Sequence, residues 1–195
     1  MSRAIVIFAR SPEREAIAKK LPIDRAAALF RSHVAAWERA ARAAHAVVLR
    51  VEQKGRTFGE RLANAADDAF ARGYTAIVLT GIDVPAVDLE AAFRSIECGR
   101  PVIAPARDGG VNLIGLGSPA RDLLSQFRQR DRGVADLCRA YFESVHELPV
   151  TRDVDTIHDF YAILCEERPQ PVAGRLKPPR KQINRIESPR APPLG

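Results

Sequence analysis

Two carboxylate-bearing stretches carry the clearest chemistry in this chain. Thr75-Ala-Ile-Val-Leu-Thr-Gly-Ile-Asp83-Val-Pro85 runs a short apolar segment into an aspartate. Ala104-Pro-Ala-Arg-Asp108-Gly109-Gly110-Val-Asn-Leu-Ile-Gly-Leu116 sets a second aspartate ahead of another apolar run. Ala76 to Leu79 has the unbroken apolar character of a strand covered on both faces. Asp83 therefore falls just past a strand's carboxyl end, where open α/β sheets bind ligands. Asp108-Gly109-Gly110 is a turn whose glycines admit positive φ and close approach of backbone to a ligand. Two carboxylates on loops at one sheet edge offer hard oxygen donors for a divalent cation and, through it, a phosphate. Taken alone, Asp83 also suits a helix cap before a helix starting near Val84-Pro85. For an isolated aspartate the cap is the commoner role, and the two are compatible.

The elements that must position these residues can be read from periodicity. Ala4 to Ala9 predicts a first buried strand, and Arg10 to Pro22 a polar connection bounded by proline. Ile23 to His45 is alanine-rich with Leu29, Phe30, Val34 and Trp37 at helical spacing. Ala46 to Val51 predicts a second strand, and Phe58 to Arg72 a helix closed by Gly73. After the third strand a helix is expected from about Ala86 to Glu97, then strands over Pro101 to Ala104 and Val111 to Leu116. Helices over Pro119 to Gln129 and Val134 to Phe142, a strand over Ser144 to Pro149 and a last helix over Thr156 to Arg168 complete the reading. Asp155 or Thr156 is placed to cap that last helix, with a second role near a metal open to Asp153 and Asp155. Alternating strands and helices imply a mostly parallel sheet covered on both sides, a three-layer α/β/α domain.

Composition narrows the function classes. The formal charge is +6, but seven basic residues against Glu187 alone lie after Glu167, leaving 23 basic and 23 acidic residues before it. The excess belongs to the tail, and nucleic acid is not an expected partner of the domain. Half of the 14 prolines also fall in residues 168–195. That stretch lacks apolar periodicity and is expected to be a disordered tail beside a single domain over 1–167. Cys98, Cys138 and Cys165 form no Cys-x-x-Cys pair, which suits a reducing compartment. No run approaches the ~20 apolar residues of a membrane span. A cytoplasmic protein that does not engage membranes is the expectation. His33, His45, His146 and His158 lack partners at ligand spacing, and Trp37 reads as core.

Five motifs occur in order: Ala4-Ile-Val-Ile-Phe-Ala-Arg-Ser-Pro12, Gln53-Lys-Gly-Arg-Thr-Phe-Gly-Glu-Arg-Leu62, Gly81-Ile-Asp-Val-Pro85, Asp108-Gly-Gly-Val-Asn-Leu-Ile-Gly-Leu116 and Asp153-Val-Asp-Thr156. Together, over about residues 3 to 166, they resemble the GT-A-like glycosyltransferases called selenodomain-associated transferases, in the nucleotide-diphospho-sugar transferase superfamily. The resemblance implies a metal-dependent transferase using a nucleotide or nucleotide-sugar donor, for glycosyl or nucleotidyl transfer. It implies Mg²⁺ or Mn²⁺ at Asp83 and Asp108, which would be the catalytic carboxylates. Arg10, Arg14, Lys19 and Lys20 are candidates to meet the phosphates, the lysines as point charges, with two solvated loop lysines the equal alternative; Gln53 and Gly55 are placed at the base or ribose, and Gly59, Gly109 and Gly110 where backbone meets the ligand. An anion is expected at the amino end of the helix after Gly59. The bland reading makes Glu60 and Arg61 an ordinary exposed first turn.

Departures from the family pattern sustain a rival reading. Ser11-Pro-Glu-Arg-Glu-Ala-Ile-Ala-Lys19-Lys20-Leu21 replaces the glycine and Lys-Thr pair of the phosphate loop, with Glu15 standing for the glycine. Val111-Asn112 replaces an aromatic pair, and the tryptophan segment is missing. A non-catalytic relative acting through protein partners of its tail would explain these losses. The abrupt passage from Val51 to Gln53, lacking the usual helix, suggests a remodelled sheet edge or a different pairing of Val47 to Val51.

Overall fold

The computed structural model describes residues 2–128 and 132–166. Six strands form one sheet: β1 (Arg3–Ile7), β2 (Val47–Arg50), β3 (Ala76–Thr80), β4 (Val102–Pro105), β5 (Val111–Leu116) and β6 (His146–Glu147). Their order is β2-β1-β3-β5-β4-β6. All pairings are parallel except those of β5, which runs antiparallel to both β3 and β4. The carboxyl ends of β1, β3 and β4 thus share an edge with the amino end of β5. The chain reverses there through the β4–β5 hairpin that carries Asp108.

Alternation along the strands sends side chains into two cores. One face, with Ile5, Ile7, Val78, Val102 and Leu113, packs against α1 (Pro12–Ala18), α2 (Ile23–Ala43), α4 (Leu89–Glu97) and α7 (Ile157–Glu166) through Ala16, Phe30, Trp37, Phe93 and Phe160. The other, with Val6, Ile77, Leu79, Ile103 and Ile114, packs against α3 (Phe58–Ala71), α5 (Arg121–Leu124) and α6 (Val134–Tyr141) through Leu62, Ala66, Leu124 and Cys138. This is the expected three-layer α/β/α architecture. The tail over 168–195, expected to be disordered, lies outside the described residues, as does residue 167.

Several local expectations are corrected. The polar connection after β1 contains a helix. The Ser11 side chain accepts from the Arg14 amide, Pro12 opens the first turn and Glu13 and Glu15 favour its amino end. Proline there marks a helix start, not a break. Asp83 is not a cap: α4 begins later, with the Asp88 carboxylate accepting from the Ala91 amide at 3.1 Å. The expected helix over Pro119 to Gln129 is the single turn α5, and the late strand is only two residues long. The sheet edge is not remodelled. β2 pairs in parallel register with β1, Ala4 opposite Val47, and residues 51–57 with α3 supply the crossover to β3.

Candidate functional site

A cleft of about 230 Å³ opens at this carboxyl edge, lined by residues following β1 (Phe8 to Arg10), β3 (Gly81 to Val84) and β4 (Ala106, Asp108). It lies where the strand order reverses between β2 and β3 about β1, the crevice in which doubly wound sheets take ligands. The turn after β3 brings Asp83 to it. Thr80 ends the strand, and the chain turns through Gly81. A Cβ on Gly81 would stand 2.2 Å from the Asp83 Oδ1, so glycine is what admits the aspartate's own carboxylate.

The backbone around Asp83 is clamped on three sides. The buried His33 Nδ1–H donates to the Ile82 carbonyl at 3.0 Å, and Trp37 Nε1–H donates to the Val84 carbonyl at 3.1 Å. The Val154 amide donates to the Asp83 carbonyl at 3.0 Å. His33 and Trp37 stand four apart on one face of α2, so both reach the same loop. Read as a core residue, Trp37 is indeed fully buried; read as isolated, His33 instead holds the aspartate loop. Their i, i+4 spacing on an otherwise alanine-rich face was the available signal.

Lys19 joins the carboxylates. Its Nζ donates to Asp83 Oδ2 at 2.8 Å and also to Asp155 Oδ1. Its side chain is only 8% exposed. Burial alone would lower its pKa, but the Asp83 and Asp155 charges outweigh that and hold the ammonium above the ordinary lysine range. Asp153 stands beside this cluster, and burial together with the charges of Asp155, Asp83 and Asp108 pushes its carboxyl up to about 6. The segment bearing Asp153 and Asp155 is tied in by Asn112. Its Nδ2 donates to Thr151 Oγ1 at 2.8 Å and to the Thr151 carbonyl. Thr156, not Asp155, caps α7, accepting from the Asp159 amide at 3.2 Å while the Asp159 carboxylate accepts from the Thr156 amide. That leaves Asp155 for Lys19.

Of the residues expected at the site, Asp83, Asp108, Lys19, Arg10, Gln53 and Gly110 line the cleft. Asp108 Oδ1 accepts from the Gly110 amide at 2.9 Å, forming its turn. Arg10 pairs with Glu15 at 3.2 Å, also on the cleft wall. Arg14, Lys20, Gly55, Gly59 and Gly109 do not line it. Arg14 and Lys20 are exposed, and Lys20 takes φ of 55° to turn the chain out of α1. The glycines serve packing. A Cβ on Gly59 would lie 2.5 Å from the Ser125 carbonyl oxygen of α5's end, and one on Gly109 2.2 Å from the Arg132 carbonyl oxygen. At the amino end of α3, where an anion is expected, the chain supplies a carboxylate of its own. Thr57 and Glu60 form a capping box, the Glu60 carboxylate accepting from the Arg56 and Thr57 amides.

The lining offers the hard oxygen donors that suit a divalent cation, since Asp83, Asp108, Asp153 and Asp155 all border the cleft. Among the described residues no three His, Cys, Asp or Glu side chains stand at ligand spacing around one point. A cation here would take at most two carboxylates from the chain and the rest of its shell from ligand phosphate and water, the ordinary habit of Mg²⁺. Among the described residues no helix is long and apolar enough to cross a membrane.

The fold recurs in solved structures. A proposed nucleotide-diphospho-sugar transferase from Desulfovibrio desulfuricans G20 is 25% identical over 88% of this chain and 90% of its own, with a TM-score of 0.73. Rv0371c of Mycobacterium tuberculosis H37Rv is 22% identical over 84% of this chain and 98% of its own, with a TM-score of 0.51, a likeness of fold alone. No protein of curated function matches the chain. The likeness to the Desulfovibrio protein supports the nucleotide-diphospho-sugar transferase superfamily that the ordered motifs suggest. With its sequence profile matched over residues 15–129, the chain belongs to DUF2064, a family described as uncharacterized proteins conserved in bacteria.

Proposed function

We propose that the cleft binds a nucleotide or nucleotide-sugar and transfers a glycosyl or nucleotidyl group to a small acceptor, as the resemblance to selenodomain-associated transferases suggests. The observation that carries this reading is the convergence of Asp83, Asp108, Asp153, Asp155 and Lys19 at the switch point of the sheet. Asp83 and Asp108 would hold Mg²⁺ or Mn²⁺. Such a cation neutralises phosphate oxygens and stabilises a nucleotide leaving group as charge develops. Lys19 orients Asp83, Gly81 leaves room for its carboxylate, and His33 and Trp37 hold its loop still. Phe8 and Phe58, in edge-to-face contact with centroids 5.6 Å apart, supply an apolar wall for a base or sugar.

One observation favours the rival, non-catalytic reading: Glu15, on α1 in the connection after β1 where phosphate would be cradled, lines the cleft and takes up Arg10. Calorimetric titration with nucleotides and nucleotide-sugars, with and without Mn²⁺, beside Asp83→Asn separates the two. The transferase reading expects a ligand that binds only with metal and is lost in the variant. A broad panel with no binding to the folded wild type overturns it.

A further inference from the structure

The cleft has a second wall that the carboxylate cluster does not explain. Arg61, in the first turn of α3, lines it. Among the described residues its buried Nε has no hydrogen-bond partner, and no carboxylate lies in salt-bridge range of it. Several arginines that are packed against the fold are engaged by carboxylates. Arg3 is held by Glu90 and Glu97, Arg121 by Asp67, and Arg139 by Asp136 and Glu147. Arg152 shares the unpartnered Nε, yet its guanidinium lies 3.8 Å from Glu166. A buried donor on a charged group left unpaired is costly, and native folds rarely keep one without a reason.

The local chain is arranged to cover this side chain. Gly55 takes φ of 141°, and a Cβ there would stand 2.9 Å from the Arg61 amide nitrogen and 3.1 Å from Arg61 Cγ. Only glycine lets the 52–57 loop lie so closely over the stem of the arginine. The capping box takes the Arg56, Thr57 and Glu60 amides, and the Arg61 guanidinium is the charged donor beside it. A guanidinium presents a planar fork of donors that matches a phosphate in two bonds.

The geometry points to Arg61 as a receptor for a phosphate group of the ligand, acting without metal and apart from Asp83 and Asp108. This rests on the proposed function only in placing an anionic ligand in the same cleft. The phosphate could belong to the donor nucleotide or to a phosphorylated acceptor, since the chemistry is shared.

Arg61→Met keeps the apolar stem and removes the donors. Pyrophosphate titrated calorimetrically into metal-free wild type should bind, and Arg61→Met should weaken it about ten- to a hundredfold, the range for losing a charged hydrogen-bond pair. Arg61→Lys should recover part of the loss. Thermal unfolding without ligand supplies the second readout. An orphaned donor predicts that Arg61→Met melts at or above the wild-type temperature, whereas a structural arginine predicts a lower one. A nucleoside diphosphate that competes with pyrophosphate assigns the phosphate to the donor; simultaneous binding assigns it to an acceptor. Wild type that ignores pyrophosphate, or a variant that binds it equally, overturns the inference. Failure of every nucleotide to bind with Mn²⁺, with pyrophosphate still lost in Arg61→Met, would end the transferase reading and leave this one standing.

Discussion

The Val154 amide donates to the Asp83 carbonyl at 3.0 Å, joining two loops that are 71 positions apart in the chain. The same junction brings Asp155 to Lys19 and Lys19 to Asp83, so one buried ammonium closes three separate segments over the cleft.

Removing that ammonium is expected to destabilise the fold. Lys19→Met leaves Asp83 and Asp155 facing each other unpaired. The cost should be about 2 kcal/mol, below the ~3–5 kcal/mol of a fully buried pair because Asp155 keeps contact with solvent. Urea unfolding of wild type, Lys19→Met, Asp155→Asn and the double variant would measure the coupling. A coupling energy near zero would mean that Lys19 does not tie the two aspartates together.

Asp153 makes stability depend on pH in a defined direction. Its folded pKa of about 6 lies above the ordinary aspartate value of 3.8, so the folded state holds the proton more tightly than the unfolded chain does. Stability from this group therefore falls as pH rises from about 4 to about 6 and stays reduced above that. Asp153→Asn should exceed wild type by on the order of 2 kcal/mol at pH 7.5, allowing for screening, and the advantage should vanish near pH 4. An equal difference at both pH values contradicts the assignment.

Two glycines should respond oppositely to alanine. In Gly81→Ala the new methyl meets the Asp83 carboxylate tip, which can swing aside, so stability should change by less than about 1 kcal/mol while metal-dependent ligand binding is lost. In Gly59→Ala the methyl meets the backbone of α5's end, which has little freedom to move. Here stability should drop by about 1–3 kcal/mol, with ligand affinity kept in the folded fraction. Paired melting curves and titrations of the two variants check both halves.

The three cysteines should differ in reactivity. Burial pushes the Cys138 thiol up to about 12, with Arg139 only partly opposing it, and the residue is fully buried between α6 and the sheet. Cys98 and Cys165 are exposed. A thiol reagent at pH 8 should label two cysteines in the native protein and all three in denaturant. Rapid native labelling of Cys138 would mean that α6 opens locally.

The layers and the aspartates were legible in the chain because their signals are local. The short runs Ala76 to Leu79 and Val111 to Leu116, bounded by turn residues, read as buried strands, and Asp83 and Asp108 follow or precede them by a few residues. Helix α1 was less legible because Ser11-Pro12-Glu13 reads equally as a break and as a capped start. What the sequence by itself determined is the α/β/α order and the edge at which Asp83 and Asp108 emerge, since periodicity and turn chemistry act over a few residues. Only the tertiary structure decided which charges meet. Lys19 pairs with Asp83 and Asp155 across 64 and 136 positions, His33 and Trp37 seize the Asp83 loop, and Arg61 Nε has no partner among the described residues beneath Gly55. Those outcomes depend on strand order, on β2-β1-β3 bringing α1 and α2 beside the end of β3, and no spacing along the chain encodes that.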